Sequence, residues 1–194
     1  MRLFAAVRPP DHVKDHLAGA LAGALGAATD RSVPFSPRVN WHVTLAFYGD
    51  VPDGSVTAWE NGLAQELSGL APFTVELRGA GVVRRRVGWI GVGGETRALK
   101  RAMAAATAAG ELASQAVGRR PAVPGGPEAR ALRPHLTVTR AADRPAVKSA
   151  LSALAIYRGP SWLVEEVTLI SSDLGRGPGG HALYTLQSTV RLPV

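Results

Sequence analysis

Two short stretches of this sequence pair a histidine with a threonine two positions later: His42 with Thr44, and His135 with Thr137. Each pair lies in a run of apolar and β-branched residues, which predicts a β-strand. Side chains alternate between the two faces of a strand, so each histidine shares a face with its threonine. Two imidazoles and two hydroxyls that converge could bind a phosphate-sized group and transfer protons around it.

Metal binding is one alternative for the two histidines. A catalytic zinc ion needs three protein ligands, usually with close spacing. The sequence has no cysteine, and no Asp or Glu stands two or three positions from His42 or His135. Threonine is a poor zinc ligand but a good donor to phosphate oxygens. We therefore expect phosphate chemistry with no metal and no other cofactor.

A nucleophilic threonine is a second alternative, and it lacks the groups it would need. Thr44 and Thr137 have no evident carboxylate to orient a neighbouring base. The sequence also has neither a Gly-x4-Gly-Lys phosphate loop nor a Gly-x-Gly-x-x-Gly motif after a strand. We interpret the remaining histidines, His12, His16 and His181, as surface residues.

Length and composition limit the class of protein. With 194 residues, 46% of them apolar, the chain is long enough for one well-packed domain, and we expect a single domain over 1–194. The absence of cysteine fits a reducing compartment. No apolar run approaches the roughly 20 residues that span a bilayer, and the apolar start is too short for a signal peptide. We expect a cytoplasmic protein, with no membrane partner, that is a monomer.

The net charge of +7 favours anionic partners, nucleic acid foremost. A generally arginine-rich proteome is the alternative, and composition alone does not separate the two. Arginines cluster at Arg84–Arg86 and within 119–133. These clusters either follow an RNA backbone or are solvated loops.

The elements that must position the two motifs follow from periodicity and turn signals. Their order, in which hairpins interrupt the alternation of strand and helix, favours an α+β fold of two lobes rich in antiparallel strands. Predicted helices cover about 10–26, the segment up to about 70, about 95–117, and a segment that begins at Pro145. Predicted strands cover 2–7, the two motifs, 73–77, 82–83, 87–92, 162–170 and 183–192, with turns at Gly79–Gly81 and 175–180 and a long loop over 118–134.

The two motifs in this context resemble the duplicated His-x-Thr motifs of the 2H phosphoesterases. Within them the chain resembles the RNA 2',3'-cyclic phosphodiesterases, also described as 2'-5' RNA ligases. The second motif departs mildly, with Val138 and Thr139 where that branch often has Leu and Ala. The likeness covers nearly the whole chain and is carried by Arg2–Val7, Asn40–Gly49, Arg133–Arg140, Val167–Leu174 and Tyr184–Leu186.

The resemblance implies a bilobal fold with a pseudo-twofold axis, in which each lobe places one His-Thr pair in a shared cleft. It also implies hydrolysis, without metal, of the 2',3'-cyclic phosphate at an RNA end, or of a cyclic nucleotide, to a 2'-phosphomonoester. Joining of RNA ends through a 2'-5' linkage is a lesser, reversible activity in the family. A non-catalytic module that binds nucleotides or RNA ends on the same fold is the alternative function.

For the reaction, our hypothesis is that His135 activates water and His42 protonates the leaving 3' oxygen, although the sequence leaves the reverse assignment open. The threonines would hold the non-bridging oxygens. Arg140 resembles a family arginine near the phosphate. Strict alternation puts it on the face opposite His135, so it reaches the cleft only if the strand bulges or ends there.

Two phenylalanines, Phe4 and Phe47, offer rings on which a nucleobase could stack. Core packing is the simpler interpretation for both.

Overall fold

A computed structural model describes residues 1–26, 35–84, 86–119 and 134–193. The predicted α+β class is confirmed, and strands and helices succeed one another much as the periodicity indicated. In chain order the elements are β1 (Arg2–Val7), α1 (Asp11–Leu25), β2 (Val43–Asp50), α2 (Val56–Leu67), β3 (Phe73–Val83), β4 (Val87–Gly94), α3 (Thr96–Ala116), β5 (His135–Thr139), α4 (Pro145–Ala153), β6 (Arg158–Val164), β7 (Glu166–Asp173) and β8 (Leu183–Arg191).

The eight strands form one antiparallel sheet in the order β6-β3-β4-β5-β2-β1-β7-β8. This order is symmetric about its middle, because each motif strand, β5 or β2, is followed outward by three others. The two central strands are joined narrowly, through the pair Val43 and Leu136. Two four-stranded halves therefore meet at the two motif strands, which is the bilobal arrangement that the family resemblance implied.

Apolar helix faces bury the outer side of each half. In α2 the predicted stripe Trp59, Leu63 and Leu67 is fully buried, and α2 packs on α3, which packs on β2. The other half is covered differently, since α1 packs against α4 and β6. Each half thus has one helical layer, and the opposite face of the sheet is left for the site.

One predicted turn is wrong. Gly79–Gly81 does not reverse the chain, because β3 continues through it to Val83. The pairing of β3 with β4 shifts between Arg78 and Ala80, and Gly79 has a φ of 65°. Glycine accepts this positive φ without strain, so the strand bulges and bends there instead of turning.

The predicted strand 162–170 is also wrong, since it is two strands separated at Glu165. β6 pairs with β3 in one half, and β7 pairs with β1 in the other. A run of buried β-formers predicts that a segment is extended, but it does not indicate where the segment changes its pairing partner.

Some predictions lie outside the described residues, namely most of the loop 118–134, Arg85 and Arg133. The predicted loop over 175–180 is present between the paired strands β7 and β8. None of the helices in the described ranges is long and apolar enough to cross a membrane.

Candidate active site

The pairing of β2 with β5 brings the two His-Thr motifs together. Because the strands are antiparallel and Val43 lies opposite Leu136, the register places His42 across from Thr137, and Thr44 across from His135. Val43 and Leu136 point to the other face and are 1% and 0% exposed, respectively. The two rings and two hydroxyls thus share one face of the sheet, at the junction of its halves.

His42 is held in one orientation by the residues just before it. Its Nδ1 lies 2.7 Å from the backbone oxygen of Asn40. A carbonyl oxygen only accepts hydrogen bonds, so Nδ1 carries a proton, and in the neutral ring Nε2 keeps its lone pair. The Asn40 side chain in turn donates to the backbone oxygen of Ala182, at 2.9 Å. The turn before β2 is thereby attached to the segment that leads into β8.

The environment of His42 disfavours its charged form. The pKa of His42 is lowered from 6.5 to about 4, mainly by burial and also by the nearby charges of Arg8, Arg140 and His135, while the hydrogen bond to the Asn40 carbonyl acts in the opposite direction. In the ligand-free protein at neutral pH, this ring is therefore neutral.

Arg140 lies just beyond the end of β5, which stops at Thr139. The alternation that would place Arg140 on the opposite face therefore no longer constrains it. Its positive charge acts on two groups of the site, lowering the pKa of both His42 and Tyr184, although burial raises the pKa of Tyr184 overall. Both conditions under which Arg140 could reach the cleft are thus present, since the pairing of β4 with β5 also shifts register between Gly88 and Trp89.

Two further residues lie near His42, Arg8 and Tyr184, and the His-Thr motifs do not predict either of them. Arg8 directly follows β1, whose last residue, Val7, pairs with Val43 beside His42. The ring centroid of Tyr184 lies 5.2 Å from that of His42. Alternation along β1 places Arg8 on the same face as Ala6. Only the pairing of β1 with β2 shows that this is the face that carries His42.

A small apolar cluster flanks His42. Phe4 lies with its ring centroid 4.8 Å from that of His42, and it packs with Ala6, Ile170 and Tyr184. Core packing is confirmed for Phe4, which is buried. It is wrong for Phe47, which is 65% exposed and lies 5.8 Å from Phe4 between ring centroids. The register pairs Phe4 with Phe47 across two strands, so Phe47 projects from the site face of the sheet.

The other histidines take no part in this arrangement. His12 is exposed, and His16, also exposed, shares a hydrogen bond with the hydroxyl of Tyr157, 2.9 Å from its Nδ1. His181 is half-buried in the segment before β8. Within the described ranges, no group of three or more His, Cys, Asp or Glu side chains is placed to hold a metal ion. The side chains around the motifs are those of a site for an anion.

Comparison with known proteins identifies the family. The model of the 2'-5' RNA ligase superfamily matches residues 9–176. An RNA 2',3'-cyclic phosphodiesterase from Methanothermobacter thermautotrophicus is 32% identical over 201 residues, which cover 99% of both chains.

Solved structures agree with this result. TT0787 of Thermus thermophilus has a TM-score of 0.71 at 26% identity and covers 99% of this chain and 98% of its own. E. coli LigT in complex with 3'-AMP has a TM-score of 0.72 at 25% identity and covers 98% and 97%. The chain belongs to the 2'-5' RNA ligase superfamily, the 2H phosphoesterases, within its RNA 2',3'-cyclic phosphodiesterase branch.

Proposed function

We propose that this enzyme hydrolyses the 2',3'-cyclic phosphate at RNA ends to a 2'-phosphomonoester, without a metal ion. The observation that carries the proposal is the register of β2 with β5, which sets each histidine opposite the threonine of the other motif. The name of the M. thermautotrophicus relative and the 3'-AMP complex of E. coli LigT support a nucleotide at an RNA end as the substrate.

The reaction needs one group that accepts a proton from water and one group that donates a proton to the leaving 3' oxygen. Water attacks phosphorus as His135 accepts its proton, and the bond from phosphorus to the 3' oxygen breaks as His42 donates a proton to that oxygen. The bond from phosphorus to the 2' oxygen remains, so the product is a 2'-phosphomonoester. Thr44 and Thr137 donate hydrogen bonds to the non-bridging oxygens, where charge develops. If a 5' hydroxyl replaces water, the same steps give a 2'-5' linkage, which is the ligation the family is named for.

This assignment requires that His42 gain a proton together with the substrate. Burial is the main cause of the low pKa of the ring in the free protein, and the charges of Arg8 and Arg140 add to it; an anionic phosphate beside the ring favours its charged form instead. The Asn40 carbonyl, which accepts from Nδ1, favours the cation. The reverse assignment, with His42 as the base, needs no such proton.

Proton uptake on binding separates the two assignments. We expect binding of the product 2'-AMP at pH 7 to take up close to one proton, measured by calorimetry in buffers of different ionisation enthalpy. The uptake should vanish in His42→Gln and persist in His135→Gln. If the wild-type protein takes up no proton, or if the uptake is lost only in His135→Gln, the roles of the two rings are reversed.

Turnover itself tests the function. The protein should convert a nucleoside 2',3'-cyclic phosphate to the 2'-monophosphate in the presence of EDTA, as followed by phosphorus NMR. His42→Ala and His135→Ala should each slow the reaction by roughly two to four orders of magnitude, because each removes a proton-transfer group. His12→Ala, at an exposed position on α1, is the matched control. Full activity in His42→Ala would contradict the mechanism.

The alternative, a non-catalytic module that binds nucleotides or RNA ends, draws support from one observation. Phe47 presents an exposed ring beside the site, which suits stacking of a base whether or not the phosphate reacts. Binding of 2'-AMP without formation of product from the cyclic nucleotide would favour this function. Having both His-Thr pairs intact and opposed favours the enzyme.

A further inference from the structure

A cavity of about 590 Å³ lies at the end of the sheet where β1 stops, with Val7 and Arg8 in its wall. Arg8 directly follows Val7, which pairs with Val43 beside His42. Arg8 therefore belongs both to the wall of the cavity and to the surroundings of His42. Its volume lies in the range of pockets that hold a small ligand.

The sheet register shows which elements build this cavity. At the end of the sheet where β1 reaches Val7, Thr168 of β7 lies opposite Ala6, and Glu166 lies opposite Arg191 of β8. These strands belong to one half. The other half contributes Trp162 and Leu163 of β6, so residues of both halves line the cavity.

We infer that this cavity receives the nucleotide that precedes the terminal cyclic phosphate in an RNA chain. The inference rests on the proposed function, because it requires an RNA end held at His42 and His135, beside Arg8. Arg8 and Arg191 supply positive charge for the connecting phosphodiester. Leu163, which is 51% exposed, supplies apolar surface for a base.

The remaining charges indicate which base fits. Glu165 and Glu166 also line the cavity, and both are exposed. An ionised carboxylate only accepts hydrogen bonds and repels a phosphate, so it suits the edge of a base that carries N–H donors. Guanine presents two adjacent donors, N1–H and N2–H, that one carboxylate can accept together. The cavity thus favours guanine in the preceding nucleotide.

Substrates of two lengths test the inference. With the wild-type protein, kcat/KM should be roughly tenfold higher for a dinucleotide that ends in a cyclic phosphate than for the matching mononucleotide, because the second nucleotide adds a phosphodiester contact and buries apolar surface. Leu163→Trp fills the cavity and should abolish that gain while leaving the mononucleotide unchanged. Arg191→Gln should also weaken the dinucleotide alone. Leu112→Trp, at an exposed position of α3, is the control and should change neither substrate.

Base preference is measured in the same assay. Wild-type protein should prefer a dinucleotide with guanine first over one with uracil first. The double variant Glu165→Gln with Glu166→Gln should lose that preference, and Glu111→Gln, on α3, should keep it. Equal kcat/KM for the two lengths in the wild type, or an equal loss on both lengths in Leu163→Trp and Arg191→Gln, would overturn the inference. Absence of turnover with either length would instead contradict the proposed function on which it rests.

Discussion

At the scale of single residues, His42 connects the geometry of the site to the behaviour of the whole protein. The fold lowers the pKa of its ring from 6.5 to about 4, mainly through burial. The sequence predicted a proton-transfer role for the His42 ring but not its protonation state. The pKa of a histidine in a strand depends on its surroundings, and the burial that mainly lowers this one, together with the charges of Arg8 and Arg140, comes from parts of the chain that are distant in the sequence.

The lowered pKa of His42 makes stability depend on pH. Below pH 6.5 the unfolded chain binds a proton at this position more readily than the folded protein does, so the free energy of unfolding should fall as the pH drops from 6.5 to about 4 and be unaffected above 6.5. The loss from this one group is at most roughly 3.5 kcal/mol. His42→Gln should therefore lose less stability than the wild type between pH 7 and pH 4.5, measured by urea denaturation.

The exposed His12 provides the comparison for that experiment. His12→Gln should follow the wild-type dependence on pH, because the fold leaves this side chain in solvent. A dependence in His42→Gln as steep as that of the wild type would show that the ring is not held neutral.

At the scale of elements, the site depends on how closely the helices approach the sheet and each other. A Cβ added at Gly62 of α2 would lie 2.9 Å from the backbone oxygen of Ala109 in α3. The neighbouring backbone cannot rotate away as a side chain can, so the two helices would have to separate. Since α3 packs on β2, the strand that follows His42, this contact supports the site from behind.

Two glycine substitutions of opposite sign test that packing. Gly62→Ala should destabilise the protein by about 1–3 kcal/mol through overpacking, despite the better helix propensity of alanine. Gly19→Ala, in α1, has nothing within 4 Å of the added Cβ and should stabilise by about 0.5–1 kcal/mol. Thermal and urea unfolding measure both. A stabilising Gly62→Ala would contradict the close approach of α2 and α3.

At the scale of the whole molecule, the net charge of +7 acts on RNA beyond the site. Arg84 and Arg86 lie at the tip of the β3–β4 hairpin, where the backbone oxygen of Arg86 accepts a hydrogen bond from the amide of Ala142. That contact brings the hairpin tip beside the segment that follows Arg140. We expect these arginines to contact the RNA backbone rather than to specify its sequence.

Salt dependence measures that contribution. The affinity for an RNA oligonucleotide that ends in a 2'-phosphate should fall as salt rises, and Arg84→Gln with Arg86→Gln should reduce the slope of log Kd against log salt by about 1–1.5, since each lost phosphate contact on a single strand removes about 0.7. The control is Arg97→Gln with Lys100→Gln, both exposed on α3. An unchanged slope in the hairpin variant would show that these arginines are only solvated.

Much of the fold was predictable because its signals are local. The stripe of Trp59, Leu63 and Leu67 repeats at the helical period, and it forms the buried face of α2. The two errors, the turn at Gly79–Gly81 and the single strand 162–170, have one physical origin. A bulge and a change of pairing partner depend on neighbouring strands. The alternation of apolar and polar residues along one segment does not indicate either of them.

The sequence by itself determined that each motif places a histidine and a threonine on one face of a strand, because that alternation has a period of two residues and needs no partner. Only the tertiary structure decided that β2 lies beside β5, with each histidine opposite the other motif's threonine. It also decided that Arg8 and Tyr184 lie near His42. Pairing between distant strands is set by the packing of the whole sheet. The tertiary structure therefore decides which residues join the two motifs in the site.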